Sequence, residues 1–353
     1  SCALLVETRG ATREALQAGI QAIQQALADL PTLRPLEFTA VPAEFNRLWN
    51  IRKGLFPAVG AVRRTGTTVV IEDVAFPVPR LADYHDLLAM KDIDLVEILL
   101  PHHLHYQAAL DAAAAGKHIS LQKPMAINLQ QADQMIEAAK KAGVIFKVFE
   151  NFIFYPPVMK AKQLIDAGEI GDPISIRIKS NAAKSPHAWA VPLSAQVWRF
   201  DPDTCGGGPL VFDDGHHKFS LGWFFMGMAE EVHAWIGSLP VNDGVNIGIL
   251  DSPAIVSWKF PGNRVGSLEV VYSPEMVLNT NHYAQDDRIE ITGTKGVIWV
   301  TRGHGKMMDV PPVVLYKDMQ VRTFSDMEVG WEHSFINSTR HFIEAYPGVS
   351  SVN

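Results

Sequence analysis

Residues 95–125 allow few folds. An apolar run at 95–100 stops at Pro101, a His-rich turn at 102–105 leads into an Ala-rich helical pattern over 107–115, and Gly116 closes it. A second β run at 118–121 then stops at Gln122-Lys123-Pro124. The order is strand, loop, helix, strand. The near-continuous apolar character of the first strand predicts a parallel sheet covered on both faces. In such sheets ligands bind beyond the carboxyl ends of the strands, where both 102–105 and 122–124 fall.

Downstream, 128–142 has helical spacing, with Asn128 as N-cap and Gly143 as the stop. A strand is expected at 144–149, then a helix opened by Pro156-Pro157 and closed by Gly168. At 173–180 Ile174, Ile176 and Ile178 alternate with polar residues, as in a half-buried strand. Further strands are expected at 255–260, 266–273, 288–293 and 296–301, with Gly293-Thr294-Lys295-Gly296 as a hairpin turn, and a helix at 331–346.

A second concentration of chemistry lies in WRFDPDTCGGGPLVFDDGHH, 198–217. Three glycines lower the steric cost of close backbone approach, and Pro209 suits the first turn of a helix. On that helix Asp213 and His217 are four apart, hence on one face. Removing hydride from an alcohol requires a base for the hydroxyl proton, and a Lys, an Asp and a His around one carbon meet that need. The histidines of 102–105 read as a solvated turn or as contacts, and His216 as structural. A metal cluster from these histidines is the competing reading; no metal is expected.

The pattern LPHHLHYQAALDAAAAGKH…QKPMA resembles the signature of the Gfo/Idh/MocA oxidoreductases, pyridine-nucleotide enzymes acting on sugars and polyols. That family usually has Glu-Lys-Pro where this chain has Gln122-Lys123-Pro124. Its Asp-x-Gly-x-His pattern is met by Asp213 to His217, one residue further from the glycines than in the commonest form. The resemblance implies His217 as acid/base, Asp213 as its partner and Lys123 as polariser of the reacting oxygen. It also implies NAD or NADP as cofactor, with Pro101, His102, His105, Gln122 and Lys123 on the nicotinamide side. Asn151, Tyr155, Trp198 and Arg199 would line the sugar site. A homo-oligomer through the open face of the second sheet is expected.

The front of the chain departs from that family. A dinucleotide-binding domain should open with a strand running into Gly-x-Gly-x-x-Gly, because the backbone must approach the pyrophosphate. Thr8-Arg9-Gly10-Ala11-Thr12 stands there instead, after a strand expected at 3–7 and before a helix at 12–30. A strand at 36–40, a helix at 43–56 and a strand at 67–73 follow. Residues 47–84 resemble part of the C-terminal cap domain of FAD-linked oxidases of the D-lactate dehydrogenase and glycolate oxidase type. Trp49, Arg52 and Lys53 match its Trp-x-x-Arg-Lys pattern, and Glu72-Asp73-Val74-Ala75 its Glu-Asp-Val-Ala strand. FAD itself is not expected, because the flavin domain of that family would lie upstream.

The expected organisation is therefore α/β and chimeric. It comprises a grafted αβ segment (1–81), an incomplete Rossmann-type parallel sheet (82–150), and an α+β substrate domain with an open, largely antiparallel sheet (151–353). Both ends read as truncated relative to the family. At 353 residues the chain can bury a substantial core, and a formal charge of −7 offers no basic patch for nucleic acid. No run approaches the roughly 18 apolar residues of a membrane span. Two cysteines without a CxxC suggest a reducing compartment, the cytoplasm. An NAD(P)-dependent sugar, inositol or polyol dehydrogenase is the first functional reading. A non-catalytic remnant without nicotinamide binding is the second, and a flavin-linked 2-hydroxy acid oxidase fragment the third.

Overall fold

A computed structural model describes residues 12–26, 38–39, 84–189, 196–242, 247–303 and 305–346. The chain divides into two units, 1–60 and 61–353. In the first, α1 (Arg13–Ala26) occupies most of the helix expected at 12–30. The strands expected at 3–7 and 67–73 and the helix at 43–56 lie outside the described residues. Of 36–40 only Phe38 and Thr39 are described, without regular structure.

The second unit carries two main sheets. After α2 (Tyr84–Ala89) comes β1 (Leu95–Ile98), then α3 (His102–Ala114), β2 (His118–Gln122), α4 (Leu129–Ala142) and β3 (Phe146–Phe149). The three strands pair in parallel in the order β1-β2-β3. Their apolar side chains pack against the helices: Ile119, Leu121, Ala112 and Met135 are all but fully buried. The Asn128 side chain accepts from the backbone N–H of Gln131, and Gly143 ends α4 at φ 68°.

The expected turn at 102–105 is the first turn of α3. Pro101 precedes that helix, Leu104 N–H donates to Pro101 O, and the i, i+3 spacing turns His102 and His105 into the core. Side chains in a first helical turn can be buried although the pattern before it reads as polar.

Next come α5 (Pro156–Asp166), β4 (Pro173–Lys184), α6 (Pro202–Cys205), a π-helical turn (Pro209–Asp214) and α7 (Gly215–Met226). The remaining elements are β5 (Glu231–Ile236), β6 (Leu239–Asn242), β7 (Ile247–Leu250), β8 (Ala254–Phe260), β9 (Arg264–Val277), β10 (Gln285–Gly293), β11 (Gly296–Val300), β12 (Val313–Lys317), β13 (Gln320–Phe324) and α8 (Glu332–Ala345). Eight strands form one sheet in the order β13-β12-β11-β10-β4-β9-β8-β5. All its pairs are antiparallel except β4–β9.

The sequence alternation explains this sheet. Ile176, Ile178, Ile289, Ile291, Val256, Leu268 and Val270 point to one face and are at most 4% exposed. Each such side chain contributes about 1.5–3 kcal/mol on burial. Ile174, by contrast, is exposed near the strand start. Helices α5 and α7 supply Ala161, Leu164, Leu221 and Phe225 to the same core.

Candidate active site

Lys123 stands just past β2, where the parallel sheet ends. Its Nζ donates to Oδ1 of Asp213 at 2.7 Å and to the backbone carbonyl of Asp213 at 2.8 Å. Asp213 Oδ2 accepts from Arg199 Nε at 2.8 Å, and His102 Nε2 lies 3.4 Å from Oδ1. Burial alone would push the Asp213 carboxyl up, but Lys123, Arg199 and His102 outweigh it and hold Asp213 well below the usual carboxylate range.

His217 faces a different partner. Its Nδ1 lies 2.7 and 2.9 Å from the two oxygens of Glu150, one residue past β3, and its ring stacks on Phe152 at 4.0 Å between centroids. An ionised carboxylate only accepts, so Nδ1 carries the proton and Nε2 is the free base. No hydrogen bond engages Nε2 among the described residues. Burial, reinforced by the charges of Lys123 and Lys218, outweighs Glu150 and lowers His217 to about 4, so the ring is neutral. Despite burial, the two histidines hold Glu150 below its ordinary value, and its Oε1 also accepts from Phe152 N–H at 2.8 Å.

The expected Asp213–His217 pairing is thus corrected. Asp213 is taken up by Lys123, Arg199 and His102, and His217 by Glu150; a π-helical turn, in which Asp213 N–H donates to Gly208 O five residues back, widens the backbone before α7. Asp214 turns to a third set of partners, Lys218 Nζ at 2.7 Å and Gln285 Nε2 at 2.8 Å. The glycines allow close approach of protein to protein: a Cβ on Gly206 would lie 2.9 Å from Ile127 Cβ, and one on Gly208 would lie 2.2 Å from Asp251 Cγ. The Asp251 carboxylate accepts from Leu210 and Val211 N–H and so anchors the start of the turn.

The other expected site residues divide. Trp198 lies edge-on to His102 at 4.6 Å, and the Arg199 guanidinium lies over its ring at 4.4 Å, so both stand beside Asp213. Asn151 and Tyr155 instead use their polar atoms inside the core. The amide of Asn151 donates to Ser334 Oγ at 2.7 Å, and the Tyr155 hydroxyl donates to Val329 O at 3.0 Å. Their expected place in a sugar-site wall gives way to tethering 150–155 to the segment around α8.

For the nicotinamide side, His105 is fully buried, with its ring nitrogens at the carbonyls of Leu100 and Pro124, and burial with His102 nearby lowers it to about 4. His102 is likewise enclosed, with Nδ1 on Cys205 O at 2.7 Å. Both are scaffold, not lining. Pro101 and Gln122 stay half-buried at the strand ends. Gln122 Oε1 accepts from Lys123 N–H, leaving its Nε2 donor without a hydrogen bond among the described residues. That donor set fits a nicotinamide carboxamide. No Gly-x-Gly-x-x-Gly turn occurs anywhere in the sequence to fit the pyrophosphate.

Sequence reading missed Glu150, whose position at a strand end, as at Lys123, was the available signal. It also missed the π-helical turn, for which the sequence carries no signal.

Residues 48–150 match the oxidoreductase family, NAD-binding Rossmann fold, and residues 158–299 match the Gfo/Idh/MocA C-terminal domain. The chain therefore carries segments of both the N-terminal and the C-terminal domain of the Gfo/Idh/MocA oxidoreductases. Residues 1–91 also match the C-terminal domain of FAD-linked oxidases, so the two family matches overlap over 48–91. Among relatives, an uncharacterized oxidoreductase, YrbE, of Bacillus subtilis is 31% identical over 61% of this chain and 57% of its own length. Myo-inositol 2-dehydrogenase of Thermotoga maritima is 30% identical over 62% and 59%. The chain thus spans little more than half of these relatives. The fold resembles that of levoglucosan dehydrogenase in complex with NADH and levoglucosan, with a TM-score of 0.58 at 23% identity over 74% of this chain and 73% of the other. No helix among the described residues is long and apolar enough to cross a membrane.

Proposed function

We propose that this chain is an NAD(P)-dependent oxidoreductase that takes hydride from a secondary hydroxyl of a sugar, inositol or related polyol. The observation that carries this reading is the meeting of Lys123, from the end of the parallel sheet, with Asp213 at 2.7 Å, beside a His217 whose Nε2 is left open. The names of the inositol and levoglucosan dehydrogenases among the relatives support the substrate class, and the NADH complex supports NAD.

In this reading Lys123 donates to the reacting oxygen, and Asp213 holds Lys123 in place with Arg199 as second clamp. His217 Nε2 takes the hydroxyl proton as the C–H bond gives up hydride and the carbonyl forms. Glu150 fixes the tautomer that leaves Nε2 able to accept. A bound nicotinamide ring supplies the hydride acceptor, with Pro101, Gln122 and Lys123 beside it. Trp198 and Arg199 are the wall residues next to the sugar. The residue ranges 82–150 and 151–353 would act as the nucleotide and substrate parts. A second copy would cover the outer face of the eight-stranded sheet, where Trp235 of β5 and its cross-strand partner Ile255 of β8 are exposed.

The absent glycine turn favours the alternative of a non-catalytic remnant. Calorimetric titration with NAD(H) and NADP(H) tests this. A micromolar dissociation constant is expected if the chain, alone or as an oligomer, supplies a phosphate site by other means. No binding at millimolar cofactor would sink the dehydrogenase reading.

A further inference from the structure

Among the described residues, Glu150, His216 and His217 bring metal-ligating atoms within 4.8 Å of one another. Each comes from the same junction, where the end of β3 meets the start of α7. His216 Nδ1 lies 3.2 Å from Glu150 Oε2, and His217 Nδ1 lies 2.9 Å from the same oxygen. Zinc bonds of about 2.0–2.1 Å to nitrogen and oxygen set a tetrahedral ligand–ligand edge of about 3.3 Å. Two of the three donor–donor edges are therefore close to that length, and the third lies within 4.8 Å. Two imidazoles and one carboxylate with an open fourth position suit zinc-class ions, whereas magnesium and calcium select oxygen donors.

The surroundings permit a cation. Lys123 and Lys218 oppose it, but Lys123 is paired with Asp213 at 2.7 Å, and Lys218 with Asp214 at 2.7 Å and Asp287 at 3.5 Å. The His216 side chain is 29% exposed and gives the group a route to solvent.

We propose that Glu150, His216 and His217 form a zinc-class divalent-cation site, and that an ion seated there disables His217 as a proton acceptor. The second half rests on reading His217 as the base. In the ion-free site the His217 proton sits on Nδ1, toward Glu150, and Nε2 is free. An ion on Nδ1 displaces the proton held there, and that single ring proton moves to Nε2. The charge of the neutral ring is unchanged and no proton is released, yet the atom facing the substrate becomes a donor. The ion acts as an inhibitor by fixing the wrong tautomer.

The test uses the full chain without a polyhistidine tag, titrated with zinc chloride alone by calorimetry, and with 15N-histidine NMR to read the ring protons. One zinc per chain is expected, with His217 Nε2 shifting into the protonated range. The variants His216→Ala and His216→Asn are each expected to weaken zinc by about tenfold or more, since even outer-shell losses cost that much. Both should keep ion-free turnover, if present, and lose zinc inhibition. The site is overturned by no saturable binding at millimolar zinc, by unchanged affinity in whichever variant folds, or by zinc binding that leaves Nε2 unprotonated. A chain that binds zinc through His216 but oxidises no polyol would instead overturn the dehydrogenase reading and leave the site standing.

Discussion

The two sheets of the second unit earn their place by different physics. The three-stranded parallel sheet has strands of four or five residues, and it delivers Lys123 and Glu150 from the ends of two of them. The eight-stranded sheet delivers neither of the two remaining central groups from its strands. Asp213 and His217 ride on a turn and a helix packed against it, while its own core face is apolar: aliphatic side chains with Trp258 and Phe260. One sheet positions chemistry at its edge; the other is a platform whose value is rigidity. Charge is also enclosed away from the site: Lys117, Asp286 and Asp287 are buried, and in the smaller sheet half-buried Glu97 on β1 feels the charge of Lys147 on β3.

Substitutions separate these roles. Lys123→Ala should lower turnover on a polyol by about 10²–10⁴-fold, the usual worth of a proton-handling contact, with cooperative unfolding retained; steady-state rates with NAD and inositol check it. A fall of less than tenfold would move the reacting oxygen away from Lys123. Ile291→Ala, on the platform, should cost about 2–5 kcal/mol in urea unfolding and leave the substrate affinity of the surviving folded fraction unchanged.

Glu97 sharpens the contrast through pH. Burial raises its carboxyl to about 7, against the favourable pull of Lys147. A carboxyl whose folded value lies above its unfolded value binds its proton more tightly when folded. Its contribution is fully present below pH 4.5 and is lost as pH rises through about 7. Glu97→Gln, which cannot ionise, should therefore match the parent in acid and gain up to about 3 kcal/mol above neutrality, read by urea titrations across that window. A gain that does not grow with pH would break the assignment. The smallest effect is expected at Asn128→Ala, where losing the cap on α4 should cost about 1 kcal/mol.

Much of this was legible in the residues. Helix α4 was bracketed by Asn128 and Gly143 because a cap is a local bond between neighbours in sequence. The hairpin between β10 and β11 was readable from Gly293-Thr294-Lys295-Gly296 for the same reason. The alternation of Ile176 and Ile178 gave the buried face of β4 but not its neighbour β9, since a parallel pairing across more than eighty residues leaves no local mark. At the site, Lys123, Asp213 and His217 were found by pattern, and the partnering among them was misread. A four-residue spacing puts two side chains on one side of a helix without saying that they pair, and the stronger partners Lys123, Arg199 and Glu150 come from elsewhere in the chain. Glu150 was passed over because its meaning depends on His216 and His217, which only folding brings to it.

The π-helical turn before α7 acts as an angular offset. An α-helix advances roughly 100° per residue, so one residue more in a single turn rotates everything after it by about that amount relative to everything before it. Here the offset sets the phase of the motif as a whole, so that Asp213 and His217 face Lys123 and Glu150 at the ends of the parallel strands. A variant lacking one residue between Gly208 and Asp213 would keep every side chain of the motif and turn them out of phase, like a key cut correctly and inserted a quarter-turn off.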